Sequence, residues 1–276
     1  MASIIITGGN AGIGYYMTRQ FLEDGHCVAV LDVDTDRLET LELEYAGSLV
    51  ICAGDVADEA DVARCLTKVN GLWGGVDIAI HNACVSVAAP FEKTSEVDIK
   101  RVHDVNFGGA VNLARWTLPI MKRQKYGRIC FVSSGVGVTG MDGLSAFASS
   151  KGAVEALARC LRLECAGTGV SVHLLHPPLT CSDSPVTLRM TAAPERVGRA
   201  LARRIESRGF IITTGIKQRL MVGLAYHLPG RMGRLMSRAA KRAQENGAST
   251  AKPDAERRAK VEPSDAKTAP SRSAYI

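Results

Sequence analysis

The sequence predicts an α/β fold: one doubly wound parallel sheet of the Rossmann-like kind, with a helical extension at its C-terminal end. Three observations predict it. Short apolar runs alternate with amphipathic stretches of helical length, the signature of βαβ units. The apolar runs, such as Ile4-Ile5-Ile6 and Cys130-Phe131-Val132, are continuous rather than alternating, as strands covered on both faces must be. A glycine-rich turn joins the first run to the first helix.

In chain order, Ser3–Thr7 reads as a strand and Ile13–Asp24 as a helix that Gly25 ends. Cys27–Asp32 is a second strand and Thr35–Tyr45 a helix. Leu49–Ala53 is a third strand, Glu59–Asn70 a helix and Val76–His81 a fourth strand. Ser95–Lys122 reads as one long helical region and Arg128–Ser133 as a fifth strand. Ser145–Ala166 is a helix, Val170–His176 a sixth strand, Pro194–Ser207 a helix and Gly209–Thr213 a seventh strand. Beyond Thr214 the rhythm changes. Ile216–Leu228 is a helix candidate, Pro229-Gly230 a break and Arg231–Gln244 a basic helix candidate. Residues 246–276 hold few large apolar side chains and are expected to be disordered. The expected organisation is thus a nucleotide-binding domain over 1–215, a basic helical extension over 216–245 and a tail.

The chain has 276 residues, of which 46% are hydrophobic and 22% charged, with a formal net charge of +6. That is enough apolar material for a sizeable core. The positive balance is concentrated near the C-terminal end. Lys217, Arg219, Arg231, Arg234, Arg238, Lys241 and Arg242 fall between 216 and 244, where no Asp or Glu occurs. The 8 cysteines form no Cys-x-x-Cys pair, so they are expected to be reduced, with no metal site. Neither a secretory leader nor a membrane-spanning segment is expected, and the expected location is cytoplasmic.

The turn reads Thr7-Gly8-Gly9-Asn10-Ala11-Gly12-Ile13-Gly14. Glycines at 8, 12 and 14 let backbone approach a diphosphate, while the following helix presents free N–H groups and a partial positive charge. The spacing Thr-Gly-x-x-x-Gly-x-Gly resembles that of the classical short-chain dehydrogenase/reductase family, and the resemblance extends over roughly residues 2–215. Asp32 ends the second strand, where a carboxylate accepts both ribose hydroxyls and repels a 2′-phosphate. Val33 stands where relatives that prefer NADP(H) tend to place a basic residue. NAD(H) is therefore expected over NADP(H). Asp34 could instead cap the next helix.

The resemblance implies further cofactor contacts. Asp55-Val56 matches an adenine-contacting pair. In His81-Asn82-Ala83-Cys84 the family usually has Asn-Asn-Ala-Gly, so Asn82 and Ala83 match while His81 and Cys84 depart. Cys84 puts a side chain where backbone and cofactor pass closely. In His176-Pro177-Pro178-Leu179-Thr180-Cys181-Ser182, Pro177 and Ser182 match a segment that contacts the nicotinamide amide, and Pro178 replaces a glycine. The Pro-Pro pair also resembles the 3-ketosphinganine reductase branch. Residues 182–190 are expected to form the substrate lid.

The same resemblance assigns the catalytic positions. Ser134 would hold the substrate oxygen. Lys151 would hold the nicotinamide ribose. Asn106 would anchor a proton-relay water. The family's catalytic tyrosine, thirteen residues after the serine, is Phe147. Residues 147 and 151 lie one helical turn apart on one face. Phenylalanine keeps the volume of tyrosine and loses its ionisable proton. Three readings follow: a substitution introduced to trap a complex; an enzyme with a substitute acid at Ser134, Ser149, Ser150 or a water held by Lys151 and Asn106; or a cofactor-binding protein without turnover. The expected substrate is a secondary alcohol or ketone.

His173 and His176 are read as structural hydrogen-bonding residues. The basic segment interleaves with Leu220, Met221, Leu224, Leu228, Met232, Leu235 and Met236. Packing on the domain with its charges in water is the preferred reading, and peripheral membrane contact the second. Nucleic acid is not an expected partner, because no recognition motif or aromatic platform accompanies the charge. A homodimer or homotetramer, paired through the long helices, is implied by the resemblance alone.

Overall fold

A computed structural model describes residues 1–180 and 192–250, the last eight by backbone alone. Seven strands form one all-parallel sheet: β1 (Ser3–Thr7), β2 (Cys27–Asp32), β3 (Leu49–Ala53), β4 (Ile78–His81), β5 (Gly127–Val132), β6 (Val170–His176) and β7 (Ile211–Thr213). Their order is β3-β2-β1-β4-β5-β6-β7. Alternate residues of each strand enter opposite layers. Ile4, Ile6, Val28 and Val30 pack against α1 (Gly12–Glu23), α2 (Asp36–Glu44) and α8 (Pro194–Ala202). Ile5, Ala29, Leu31 and Phe131 pack against α3 (Glu59–Trp73), α5 (Gly109–Gln124) and α7 (Ser145–Glu164). Because every strand is covered on both sides, the runs are apolar throughout. The order reverses between β1 and β4, which opens a cleft at the carboxyl ends of the strands.

Several boundaries differ from expectation. The long helical region is two helices, α4 (Glu96–His103) and α5, joined by a π turn over Asp104–Gly108. Apolar periodicity continues through the turn, so the pattern carries no mark of it. β5 stops at Val132, and Ser134 caps a short helix, α6 (Gly135–Thr139), accepting from the Val136 N–H. α8 ends at Ala202 rather than at 207, and β7 starts at Ile211 rather than at 209.

In the extension, α9 (Ile216–His227) is followed by α10 (Pro229–Thr250). The break falls on Leu228, and Pro229 opens the next helix, since a missing N–H costs nothing in a first helical turn. α10 continues to Thr250, past the expected start of the tail at 246. The rest of that tail, and the lid expected at 182–190 with Ser182, lie outside the described residues.

Candidate active site

The cofactor side of the cleft is built from backbone. α1 has no side-chain cap at Ala11, so its first N–H groups lack a side-chain acceptor, and Ala11 lines the cleft. Ile13 and Gly14 lie in that first turn. A Cβ on Gly14 would stand 1.9 Å from the Gly8 carbonyl oxygen, so only glycine lets the helix sit this close to the turn. Asn82 Nδ2 donates to that same carbonyl at 2.7 Å. The Asn10 N–H donates to Asp32 at 2.8 Å, and Asn10 Oδ1 accepts from the Arg37 N–H. Burial pushes the Asp32 carboxyl above its ordinary range, and the Asn10 N–H partly offsets that. Asp34 accepts from the Asp36 N–H in a local turn just before α2, whose N-cap is Thr35 without a side-chain cap, so Asp34 does not take the N-cap role expected for it. Asp55 bonds its own turn through the Ala57 N–H, and buried Val56 faces the cleft. The cleft encloses about 340 Å³ and is lined by Gly8, Asn10, Asp32, Val56, Ala83 and, from α4, Arg101. Sequence reasoning missed Arg101, because nothing in its neighbourhood marks it as facing the strand ends.

On the catalytic side, Lys151 is buried, and its ammonium bonds the Val132 carbonyl at 2.8 Å. Its Nζ also stands 5.7 Å from the centre of the Phe147 ring. Phe147 is buried with Cys84 and Val136, and Met141, Ala148 and Met236 complete the cluster. Cys84 packs into this apolar cluster and also lines the cleft. Ser149 Oγ donates to the Ala146 carbonyl, and Ser150 Oγ to the Phe147 carbonyl.

Asn106 sits in the π turn, fully buried. Its side chain bridges both backbone groups of Val85 and donates to Ser150 Oγ. Its main-chain carbonyl accepts from His81 Nε2 at 3.0 Å. A carbonyl can only accept, so the His81 proton is on Nε2 and Nδ1 accepts from the Thr7 hydroxyl at 3.0 Å. Thr7 Oγ1 in turn accepts from the N–H groups of Asn82 and Ala83. Burial, and then the Lys151 ammonium, push His81 down to about 3. One chain of bonds therefore runs from the glycine-rich turn to the π turn. The sequence signals it only by His81 departing from the family's asparagine.

A second buried group was not foreseen. Glu155, one turn after Lys151, accepts from Ser133 Oγ at 2.6 Å and from Arg159 at 2.7 Å. His176 Nε2 stands 2.8 Å from it, and the Tyr226 hydroxyl of α9 donates to it. Burial alone would raise the Glu155 carboxyl; its partners, led by His176, hold it below the ordinary range. Burial and then Glu155 push the Tyr226 phenol up. His173 bonds Arg128 and the Gly209 carbonyl, a structural role. Pro177 offers its carbonyl to Gln218 of α9 at 3.3 Å.

Residues 2–193 match the family model for short chain dehydrogenase. The chain is 30% identical over 177 residues to an NADP-dependent 3-hydroxy acid dehydrogenase of Escherichia coli, covering 64% of this chain and 71% of that one. It is 30% identical over 192 residues to a 3-dehydrosphinganine reductase of Danio rerio, covering 67% of this chain but only 57% of that longer relative. The crystal structure of a short-chain dehydrogenase from Streptomyces avermitilis superimposes with a TM-score of 0.74 at 20% identity, over 90% of this chain and 98% of that one.

Proposed function

The chain belongs to the short-chain dehydrogenase family, and from that premise we propose that it binds NAD(H) and slowly interconverts a secondary alcohol and its ketone. The observation that carries the reading is Lys151. It is a buried ammonium with a single hydrogen-bond acceptor among the described residues, one turn from Phe147 and level with the end of β5. A buried cation left with two unused donors is costly unless a ligand completes its shell. A nicotinamide ribose would do so. The residues present fit that group, with α1 uncapped, Gly14 letting α1 sit close against the turn and Asp32 preset by Asn10.

When bound, the nicotinamide ring supplies or accepts the hydride. The chain does the rest. Ser134 Oγ accepts from the Val136 N–H, which leaves its own proton to donate to a substrate oxygen. Ser149 and Ser150 give their protons to carbonyls of α7, and the Asn106 carbonyl already accepts from His81. Proton transfer then falls to Ser134 and to solvent near Lys151, which makes it slow. The cluster of Cys84, Val136, Phe147, Met141 and Met236 favours an apolar substrate, and the zebrafish relative puts 3-dehydrosphinganine on the panel to be tried. Pairing of two copies through α4–α5 and α7 belongs to the same proposal.

A second reading, a cofactor-binding protein without turnover, is favoured by the dry packing around Phe147. Fluorescence titration with NADH and NADPH, followed by turnover on aliphatic alcohols and ketones, tests both. Tighter binding of NADH, with an Asp32→Asn variant losing roughly tenfold or more in affinity, is the expected result. Equal affinity for the two cofactors would overturn the role of Asp32. Tight NADH binding without turnover on the whole panel would favour the second reading.

A further inference from the structure

The extension has two faces. Its inner face is seated on the domain. Tyr226 reaches Glu155, and Val222 and Ala225 are buried. On α10, a Cβ at Gly233 would stand 2.6 Å from the Thr139 carbonyl, so the helix rests directly on the backbone that follows Ser134. Met236 closes the Phe147 cluster, Ser237 Oγ accepts from the Asp142 N–H, and Lys241 pairs with Asp142 at 2.6 Å.

The outer face is apolar and basic at once. Ile216, Leu220 and Leu224 recur every four residues along α9 and Leu228 follows at its end, exposed at 77%, 66%, 45% and 42%, with Met221 beside them. On α10, Arg231, Arg234, Arg238 and Arg242 form the exposed stripe, with Leu235 among them at 61%. Of the seven cations between 216 and 244, only Lys241 has a carboxylate partner among the described residues. A helix packed merely to close the domain would not show a row of aliphatic side chains to water.

We propose that the outer face of α9 and α10 docks on an anionic lipid bilayer, with the α9 aliphatic row entering the headgroup boundary and the arginines on lipid phosphates. Charge decides among occupants. A second copy around a two-fold axis would set unneutralised cations against their own kind. Nucleic acid would leave the aliphatic row in water. No described helix is long and apolar enough to cross a membrane, so the contact is peripheral. Only the thickness of α10 separates this face from the Phe147 cluster, which places the bilayer beside the cleft. The inference does not depend on turnover.

The test is co-sedimentation of the full chain with vesicles of phosphatidylglycerol mixed with phosphatidylcholine, and with phosphatidylcholine alone. Binding to the anionic vesicles, falling with salt, is expected. Each arginine near such a surface contributes about fivefold to partitioning, so Arg234→Gln/Arg238→Gln together should weaken binding about 25-fold. Leu220→Gln/Leu224→Gln should weaken it as well. All four side chains are exposed, and retained NADH binding reports the fold separately. A chain that stays in the supernatant with anionic vesicles overturns the proposal. So does binding that neither variant alters. A change of oligomeric state in the variants with no vesicle binding by the parent would assign the face to a second copy and overturn it equally.

Discussion

The two sides of the cleft are built by different means. The cofactor side, from β1 to β4, is made of backbone groups and short polar side chains whose partners lie mostly in the turns that follow these strands. Thr7, Asn10, Asp32 and Asn82 all bond to that backbone. The catalytic side, from β5 onward, is made of side chains brought from distant elements. Lys151 comes from α7, Met236 from α10 and Tyr226 from α9. A site made of backbone tolerates few changes. A site made of side chains can change its chemistry through a single atom, and position 147 is where that can be tested. Phe147 packs with Cys84 and Val136 and carries no ionisable proton.

Phe147→Tyr should give the largest effect, because it supplies a phenol one turn from Lys151. Turnover on a competent alcohol or ketone is expected to rise about 10²- to 10⁴-fold, with NADH affinity unchanged. An unchanged rate on a panel that binds would show that the catalytic side has lost more than one atom.

The bond chain through His81 joins the two sides, and acid should expose it. His81 is held near 3 in the fold against an ordinary value of 6.5. The unfolded chain takes up a proton that the folded chain refuses, so stability is full above 6.5 and is lost as pH falls toward 3. The loss attributable to this residue is roughly 2 kcal/mol at pH 5. His173, lowered to about 4, adds to the same limb. His81→Asn should flatten the difference in unfolding free energy between pH 7 and pH 5 by its own share. An identical slope in the variant would mean that His81 is not held neutral.

Tyr226→Phe should cost least, about 1 kcal/mol, since Glu155 keeps Ser133, Arg159 and His176. Limited proteolysis of the extension should nevertheless quicken, because α9 loses its polar anchor. If the cleavage rate does not move, the apolar contacts of α9 and α10 hold the extension unaided.

The fold was legible because it rests on local patterns. Leu49–Ala53 and Val170–His176 appear in the structure at the limits their apolar runs set. The glycine-rich turn declared its own place between β1 and α1. On the catalytic side, spacings of thirteen and four residues carried the reading, at Ser134, Phe147 and Lys151. The π turn left no trace, because buried Val102, Asn106, Ala110 and Leu113 keep a spacing of three or four residues through it. Tyr226 left none either, since its partner Glu155 is 71 residues away.

What the sequence determined by itself is the parallel sheet, the phosphate-binding turn and the absence of an ionisable group at 147. Each is a property of residue type within a few positions. Only the tertiary structure decided that His81 takes the Asn106 carbonyl, that Glu155 collects four partners, and that α10 covers Phe147 with one face while showing basic and aliphatic side chains on the other. Those depend on which distant surfaces meet, and burial, not local propensity, selects that meeting.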